Sequence, residues 1–271
     1  MQYEDVEVEN RDGVVWIRIN RPEVLNALRH QTYADLLGAF EEYVDDPTVG
    51  VFVLTGAGDR AFSSGGDVRG QAVRTPESGR ALFRLLFKLS SAIRNCGKPV
   101  IAAVNGYAIG AGHELHLMCD ISVAADTAIF GQVGPKVGGV PVWGATQLLP
   151  RMVGEKRARE LIFLCQQYSA AEALNMGLVN KVVPAAELES AVDAWCQELL
   201  NKSPRALRIA KTVLNHGSDT DYHSYVEGME LLSAGYGDAE NLEGVTAFLE
   251  KRPPDYRKFR TARPAADQDA I

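Results

Sequence analysis

Gly110, Ala111 and Gly112, followed two residues on by Glu114, are the part of this chain best suited to chemistry. Small residues let the backbone come close to a ligand, and N–H groups at the start of a helix carry positive partial charge that favours an anion. A second loop of small residues, Ser63-Ser64-Gly65-Gly66-Asp67, lies upstream. If the two loops face each other, their backbone N–H groups can hold one carbonyl oxygen as it gains negative charge, a contribution typically worth several kcal/mol of barrier.

Glu114 allows two readings. It is either a helix-start carboxylate stabilised by the helix dipole or a group that moves a proton beside that oxygen. Burial would suit the second by raising its pKa. His113 and His116 are three residues apart, whereas a zinc-protease helix spaces its histidines by four, so packing is expected here and no metal site. Gly56, Gly58 and Ala61 match a dinucleotide-binding spacing. However, Ser63-Ser64-Gly65-Gly66 follows where a helix should begin, and no acidic residue ends a second strand at the required distance. No G-x-S-x-G elbow occurs, which disfavours a Ser-His-Asp hydrolase.

The elements that must position these loops alternate. Residues 14–19, 51–55, 100–104 and 121–124 are short runs rich in β-branched residues and read as strands. Leu36, Leu37, Phe40 and Val44 recur at helical spacing, as do Leu188, Val192, Trp195 and Leu199. Ser169 with Glu172 forms a capping-box pattern, and Ser203 before Pro204 reads as an N-cap and first helical residue. This predicts an α/β body over residues 1–200 and a helical region over 201–271, with residues 261–271 as a mobile tail.

The 271 residues are 46% hydrophobic, enough for a full core, and no apolar run is long enough to span a membrane. The start has no basic-then-apolar leader, so a cytoplasmic protein is expected. A net charge of −7 argues against nucleic acid and anionic membranes as partners. Cys96, Cys119, Cys165 and Cys196 are scattered, and four reduced thiols are expected.

The two small-residue loops, with residues 19–28, 98–106, 130–132 and 170–179, resemble the crotonase (enoyl-CoA hydratase/isomerase) superfamily. The resemblance implies a spiral of β-β-α units with a helical C-terminal oligomerisation region. It also implies an acyl-CoA substrate, no resident cofactor, and assembly as a trimer or dimer of trimers. Gly66 and Ala111 align with the two positions whose N–H groups bind the thioester oxygen, and Glu114 with a carboxylate that activates water. Val24, Leu25, Ser64, Gly65 and Asp67 resemble the walls of the CoA site. Arg69 and Lys251 match basic positions that meet CoA phosphates, or are simply solvated.

The pattern is broken in the loop after Phe130-Gly131-Gln132. Hydratases of the family place a second glutamate where this chain has Gly134. Residues 130–138, 154–160 and 250–254 are instead similar to naphthoyl-CoA synthase and 2-ketocyclohexanecarboxyl-CoA hydrolase, yet Gly139 and Pro141 stand where those relatives carry serine and aspartate. Trp143 is either an apolar wall of the pocket or core. Tyr236 aligns with a tyrosine that reaches the pocket of a neighbouring subunit, while the apolar stripe Tyr222, Tyr225, Val226, Met229 and Leu232 packs either on its own body or on a second copy. Residues 69–80 read as a flexible lid. The leading expectation is a lyase, a hydratase of acyl-CoA metabolism. The alternatives are a hydrolase that opens a cyclic β-keto acyl-CoA and a non-catalytic acyl-CoA-binding subunit.

Overall fold

Along Val14–Ile19 the side chains of Val15, Ile17 and Ile19 enter one core while Val14 and Trp16 enter another. Residues 52 and 54 against 51 and 53, and residues 100, 102 and 104 against 101 and 103, divide in the same way. A strand buried on both faces reads as an unbroken apolar run, which is why these strands are visible in the sequence.

The computed structural model describes residues 2–219 and 221–260, so the expected tail over 261–271 lies outside the described residues. The hairpin β1 (Val6–Arg11) and β2 (Val14–Ile19) leads into α1 (His30–Tyr43). Three strand pairs follow: β3 (Val51–Gly56) and β4 (Ala61–Ser63), β5 (Val100–Val104) and β6 (Tyr107–Ile109), and β7 (Ile121–Ala125) and β8 (Ile129–Gly131). The first pair is followed by α2 (Val68–Gln71) and α3 (Pro76–Arg94), the second by α4 (Ala111–Leu117), and the third by α5 (Ala145–Val153) and α6 (Glu155–Leu164). The chain continues through β9 (Gln167–Ser169), α7 (Ala170–Asn175), β10 (Lys181–Val183) and α8 (Leu188–Leu200) to α9 (Pro204–Asp219), α10 (Tyr222–Gly235) and α11 (Ala239–Leu249).

The first strand of each pair joins a six-stranded sheet of order β1-β2-β3-β5-β7-β10, and the second joins a four-stranded sheet of order β4-β6-β8-β9. This is the β-β-α spiral expected from the resemblance. Within the larger sheet only β1 runs antiparallel to its neighbour. Leu188, Val192 and Cys196 of α8 cover one face, and α1 and α3 lie over the larger core on the other. The Ser169–Glu172 capping box is present, with the Ser169 N–H donating to the Glu172 carboxylate at 2.8 Å. Ser203 Oγ accepts from the Ala206 N–H at 3.3 Å, as an N-cap does. Among the described residues no helix is long and apolar enough to cross a membrane.

The C-terminal helices are fastened to the spiral by a buried cation. Lys211 Nζ on α9 donates to the carbonyls of Ile93 and Lys98 at 2.8 and 3.0 Å and to Asp120 Oδ2 at 2.7 Å. Beyond it, α10 lies on α3. Met229 is buried there and Tyr225, Val226 and Leu232 are half-buried, so these four pack on their own chain, while Tyr222 of the same stripe is exposed. Further exposed apolar side chains are Ile209, Val213, Leu214 and Leu231.

Removing the ammonium takes the donor from the Ile93 and Lys98 carbonyls, a loss of about 1–3 kcal/mol, while Asp120 is exposed and stays solvated. Lys211→Met is therefore expected to lower unfolding stability by about 1–3 kcal/mol, read as a shift in urea midpoint at unchanged slope. A loss within 0.5 kcal/mol, the range of ordinary surface substitutions, would show that Lys211 does not fasten α9.

Candidate active site

The two small-residue loops meet. A Cβ built on Gly112 would lie 2.4 Å from Ser63 O, and one on Gly65 would lie 2.7 Å from Ile109 O and 3.4 Å from Ala111 N. Gly65 also has a positive φ of 101°, so the approach excludes any side chain at both positions. The Leu28 N–H donates to Gly65 O and the Asp67 N–H to Leu28 O, each at 2.8 Å, forming a parallel bridge between Leu28 and Gly66. In that ladder the Gly66 N–H turns away from Leu28, and it has no acceptor among the described residues. Ala111 is the first residue of α4, and its N–H likewise has no acceptor among them. Two unused donors therefore border one space.

The same loop is braced from outside. Leu25 and Asn26 both adopt left-handed backbone conformations, with φ of 54° and 55°. The Asn26 amide is fully buried and donates to the carbonyls of Ala57 and Ala61 at 3.0 and 2.7 Å. This holds residues 24–28 against residues 64–67, where the Ser64 N–H donates to Leu25 O at 2.9 Å and Ser64 Oγ reaches Val24 O at 3.4 Å.

Glu114 projects from the first turn of α4 and is 5% exposed. Its Oε1 accepts from the Ala145 N–H at 3.3 Å. Burial raises its pKa from the ordinary carboxylate value to about 8, against the opposing pull of the Ala145 and Trp143 N–H groups. At neutral pH the carboxyl is consequently protonated, beside two donors that would receive negative charge.

Gly66, Ala111 and Glu114 line one cavity of about 160 Å³ together with Ser64, Gly65, Gly134, Pro141, Trp143 and Tyr236. Val24, Leu25, Asp67, Arg69 and Lys251 stand outside it. The Asp67 carboxylate is engaged locally, accepting from the Arg69 N–H at 3.2 Å and lying 3.5 Å from Arg21. The Arg69 and Lys251 side chains are exposed. Trp143 fulfils both of its readings: it lines the cavity, yet it is 2% exposed and its Nε1 donates to Ser90 Oγ at 2.8 Å.

Tyr236 lines the cavity of its own chain. It ends α10, its ring stacks on Phe83 at 6.4 Å, and a Cβ on Gly79 of α3 would lie 2.6 Å from it. The absent side chain at Gly79 makes the room that lets α10 deliver Tyr236 locally. Residues 69–80, read as a lid, are the end of α2, a short turn, and the start of α3, which Thr75 caps by accepting from the Ser78 N–H at 3.3 Å.

Sequence reasoning missed Tyr33, Gln71, Arg74 and Gln132 in the lining. Tyr33 lies on α1 and meets Trp143 edge-on at 5.4 Å, and burial pushes its pKa up. Gln132 is fully buried, and neither amide atom has a partner among the described residues. His113 and His116 stack at 5.6 Å against Phe130 in the core, and burial lowers the pKa of both.

The sequence profile of the enoyl-CoA hydratase/isomerase family matches residues 9–259. Among solved structures, an enoyl-CoA hydratase from Mycobacterium avium subsp. paratuberculosis is 32% identical with a TM-score of 0.85, over 94% of this chain and 99% of its own. An enoyl-CoA hydratase from Bacillus anthracis is 34% identical with a TM-score of 0.77, over 93% and 99%. The Pseudomonas aeruginosa protein DspI is 31% identical with a TM-score of 0.78, over 95% and 98%.

Two outcomes follow from this geometry. A Cβ at Gly134 would lie 3.1 Å from Gly139 O and 3.2 Å from Pro141 Cδ, a tight fit in which those neighbours must give by a few tenths of an ångström. Gly134→Glu should lose about 1–3 kcal/mol, the usual cost of overpacking, and should show no increase in hydration of an enoyl thioester; a faster folded variant would overturn this. For Glu114 the folded pKa of about 8 exceeds the unbound value of 4.5, so between those pH values the folded chain holds a proton that the unfolded chain has released. Stability therefore falls as pH rises through that window and levels off above it, by a total on the order of 5 kcal/mol. Glutamine does not ionise, so Glu114→Gln should raise the calorimetric Tm by several degrees at pH 9 and by less at pH 6. A gain independent of pH would contradict the buried-acid assignment.

Proposed function

The chain belongs to the enoyl-CoA hydratase/isomerase family, and on that premise we propose that it adds water to an α,β-unsaturated acyl-CoA thioester, or runs the reverse dehydration. The observation that carries this reading is the Glu114 carboxyl, held neutral near pH 7, in the same cavity as the unused N–H groups of Gly66 and Ala111.

In the proposed step the oxygen of water bonds to the β-carbon while the double-bond electrons move onto the thioester oxygen. The Gly66 and Ala111 N–H groups stabilise that enolate oxygen. The α-carbon then takes the proton of the Glu114 carboxyl, and the attacking water gives its own proton to the other oxygen of the same group. The carboxyl ends as it began, so one acid serves as donor and acceptor where Gly134 supplies no second one. Tyr236 is proposed to donate a hydrogen bond to the bound acyl group.

Coenzyme A would enter only as part of the substrate. Val24 and Leu25 with Ser64, Gly65 and Asp67 are proposed to border the thioester end, and the exposed Arg69 and Lys251 to meet its phosphates. Self-association as a trimer or pair of trimers, in the cytoplasm, completes the reading, with Ile209, Val213, Leu214 and Leu231 as apolar surface available to bury.

A panel of aliphatic, alicyclic and aromatic enoyl-CoA thioesters, followed by mass increase and by loss of enoyl absorbance, tests the reaction. Glu114→Gln should lower kcat by about a hundredfold or more with thioester affinity within a few-fold, the range for losing a general acid. The wild-type hydration rate should fall as pH rises through about 8, where Glu114 loses its proton. Near-normal turnover by Glu114→Gln would remove it from the mechanism. A ring-opened dicarboxylate from a cyclic β-keto thioester would replace hydration by C–C hydrolysis, and tight binding without turnover across the panel would mark a binding subunit.

A further inference from the structure

Arg74 is the cation of the acyl cavity. It stands in the turn between α2 and α3, half-buried, and lines the same space as Glu114. One of its guanidinium nitrogens donates to the Tyr236 hydroxyl at 3.3 Å, and the guanidinium carbon lies 5.2 Å from the centroid of that ring. Among the described residues Arg74 takes part in no ion pair, although nearby arginines do: Arg21 pairs with Asp67 and Arg80 with Glu230. The remaining walls near Tyr236 are apolar, supplied by Leu82, Phe83, Leu232 and Phe248.

An arginine presents five N–H donors in a planar fork suited to a carboxylate. Here a neutral hydroxyl takes one, and no acid answers the charge. Glu114 does not answer it either, because its carboxyl is protonated at neutral pH. At neutral pH the cavity thus carries uncompensated positive charge. A methyl-ended acyl group pushed against Arg74 would strip water from the cation and return nothing, whereas a carboxylate would neutralise it through charge-assisted hydrogen bonds.

We propose that Arg74, oriented by Tyr236, is a specificity residue that receives a carboxylate at the distal end of the acyl group, so that the substrate class is a CoA thioester of a dicarboxylic acid. This rests on the acyl-CoA reading above but not on hydration as the reaction.

The experiment compares binding of saturated thioesters, which cannot be hydrated, by titration calorimetry: glutaryl-CoA against pentanoyl-CoA and adipoyl-CoA against hexanoyl-CoA. Wild type should bind the carboxylate-ended member of at least one pair tenfold or more tighter. Arg74→Met should abolish or invert that preference while binding free coenzyme A as wild type does, which also shows that the variant is folded. Arg74→Lys should retain part of the preference, since it keeps the charge without the fork. Equal affinities or a preference for the methyl end in wild type would overturn the proposal, as would an equal loss of both ligands in Arg74→Met with coenzyme A binding intact. Preference for the carboxylate in a protein that hydrates nothing would sink the hydration reading alone. Failure to bind coenzyme A or any thioester would remove both.

Discussion

The contact between residues 63–66 and residues 109–112 sets where every other part of the site can stand. Gly65 and Gly112 are the residues at which a Cβ would strike backbone, and removing those two carbons lets α4 begin directly against the strand that ends at Ser63. An isolated helix of seven residues would not hold in water. It holds here because six of the seven are buried. From that one approach follow the orientation of the Gly66 and Ala111 N–H groups and, one turn along α4, the position of Glu114. Asn26 secures the arrangement from behind with hydrogen bonds to Ala57 O, in the β3–β4 connection, and Ala61 O, at the start of β4.

Burying an acid without a counter-charge costs folding free energy, and the chain carries that cost at Glu114. Among the described residues no other carboxylate lines the cavity, so desolvation sets its protonation state, with no like-charge neighbour among them to contribute. In the turn opposite, a Cβ at Gly134 would sit tightly against Gly139 O and Pro141 Cδ, at 3.1 and 3.2 Å. Proposed proton transfer through one group is therefore tied to packing in that turn as well as to the acid itself. On the proposed reading, Glu114 also shows why stability and activity would pull apart at such a site: the desolvation that weakens the fold is what brings its pKa near neutral.

The sequence made the chemistry more legible than its setting. Gly65, Gly66 and Ala111 stood out because only small residues tolerate such an approach, and β2, β3, β5 and β7 stood out because both of their faces are buried. Strands β4, β6 and β8 have three residues each, too few for any period to show, so the second sheet was not visible. Arg74 read only as part of a flexible lid because a charge in a loop carries no signal of what it faces. The route of Tyr236 was unreadable for a related reason: it depends on Gly79, 157 residues earlier, leaving space on α3, and no local pattern reports that coincidence.

The division of labour between elements has its own logic. The backbone donors and Glu114 come from the spiral, whose sheets fix them through parallel pairing and a continuous core. Tyr236, Leu232 and Phe248 come from α10 and α11, which reach the cavity only because α9 is fastened by Lys211 and α10 lies on α3. On the proposed reading, then, bond-making groups and acyl-selecting groups sit on parts of the chain with different constraints. Substitution at the contact between the two loops strikes backbone, as at Gly65 and Gly112, and is costly there. Substitution on the cavity side of α10 or α11 meets side chains, which repack more readily than backbone moves. A fold arranged this way can change which acyl group it accepts while leaving the oxygen site and Glu114 in place, so the selectivity of this chain is to be sought in Arg74 and the C-terminal helices that orient it.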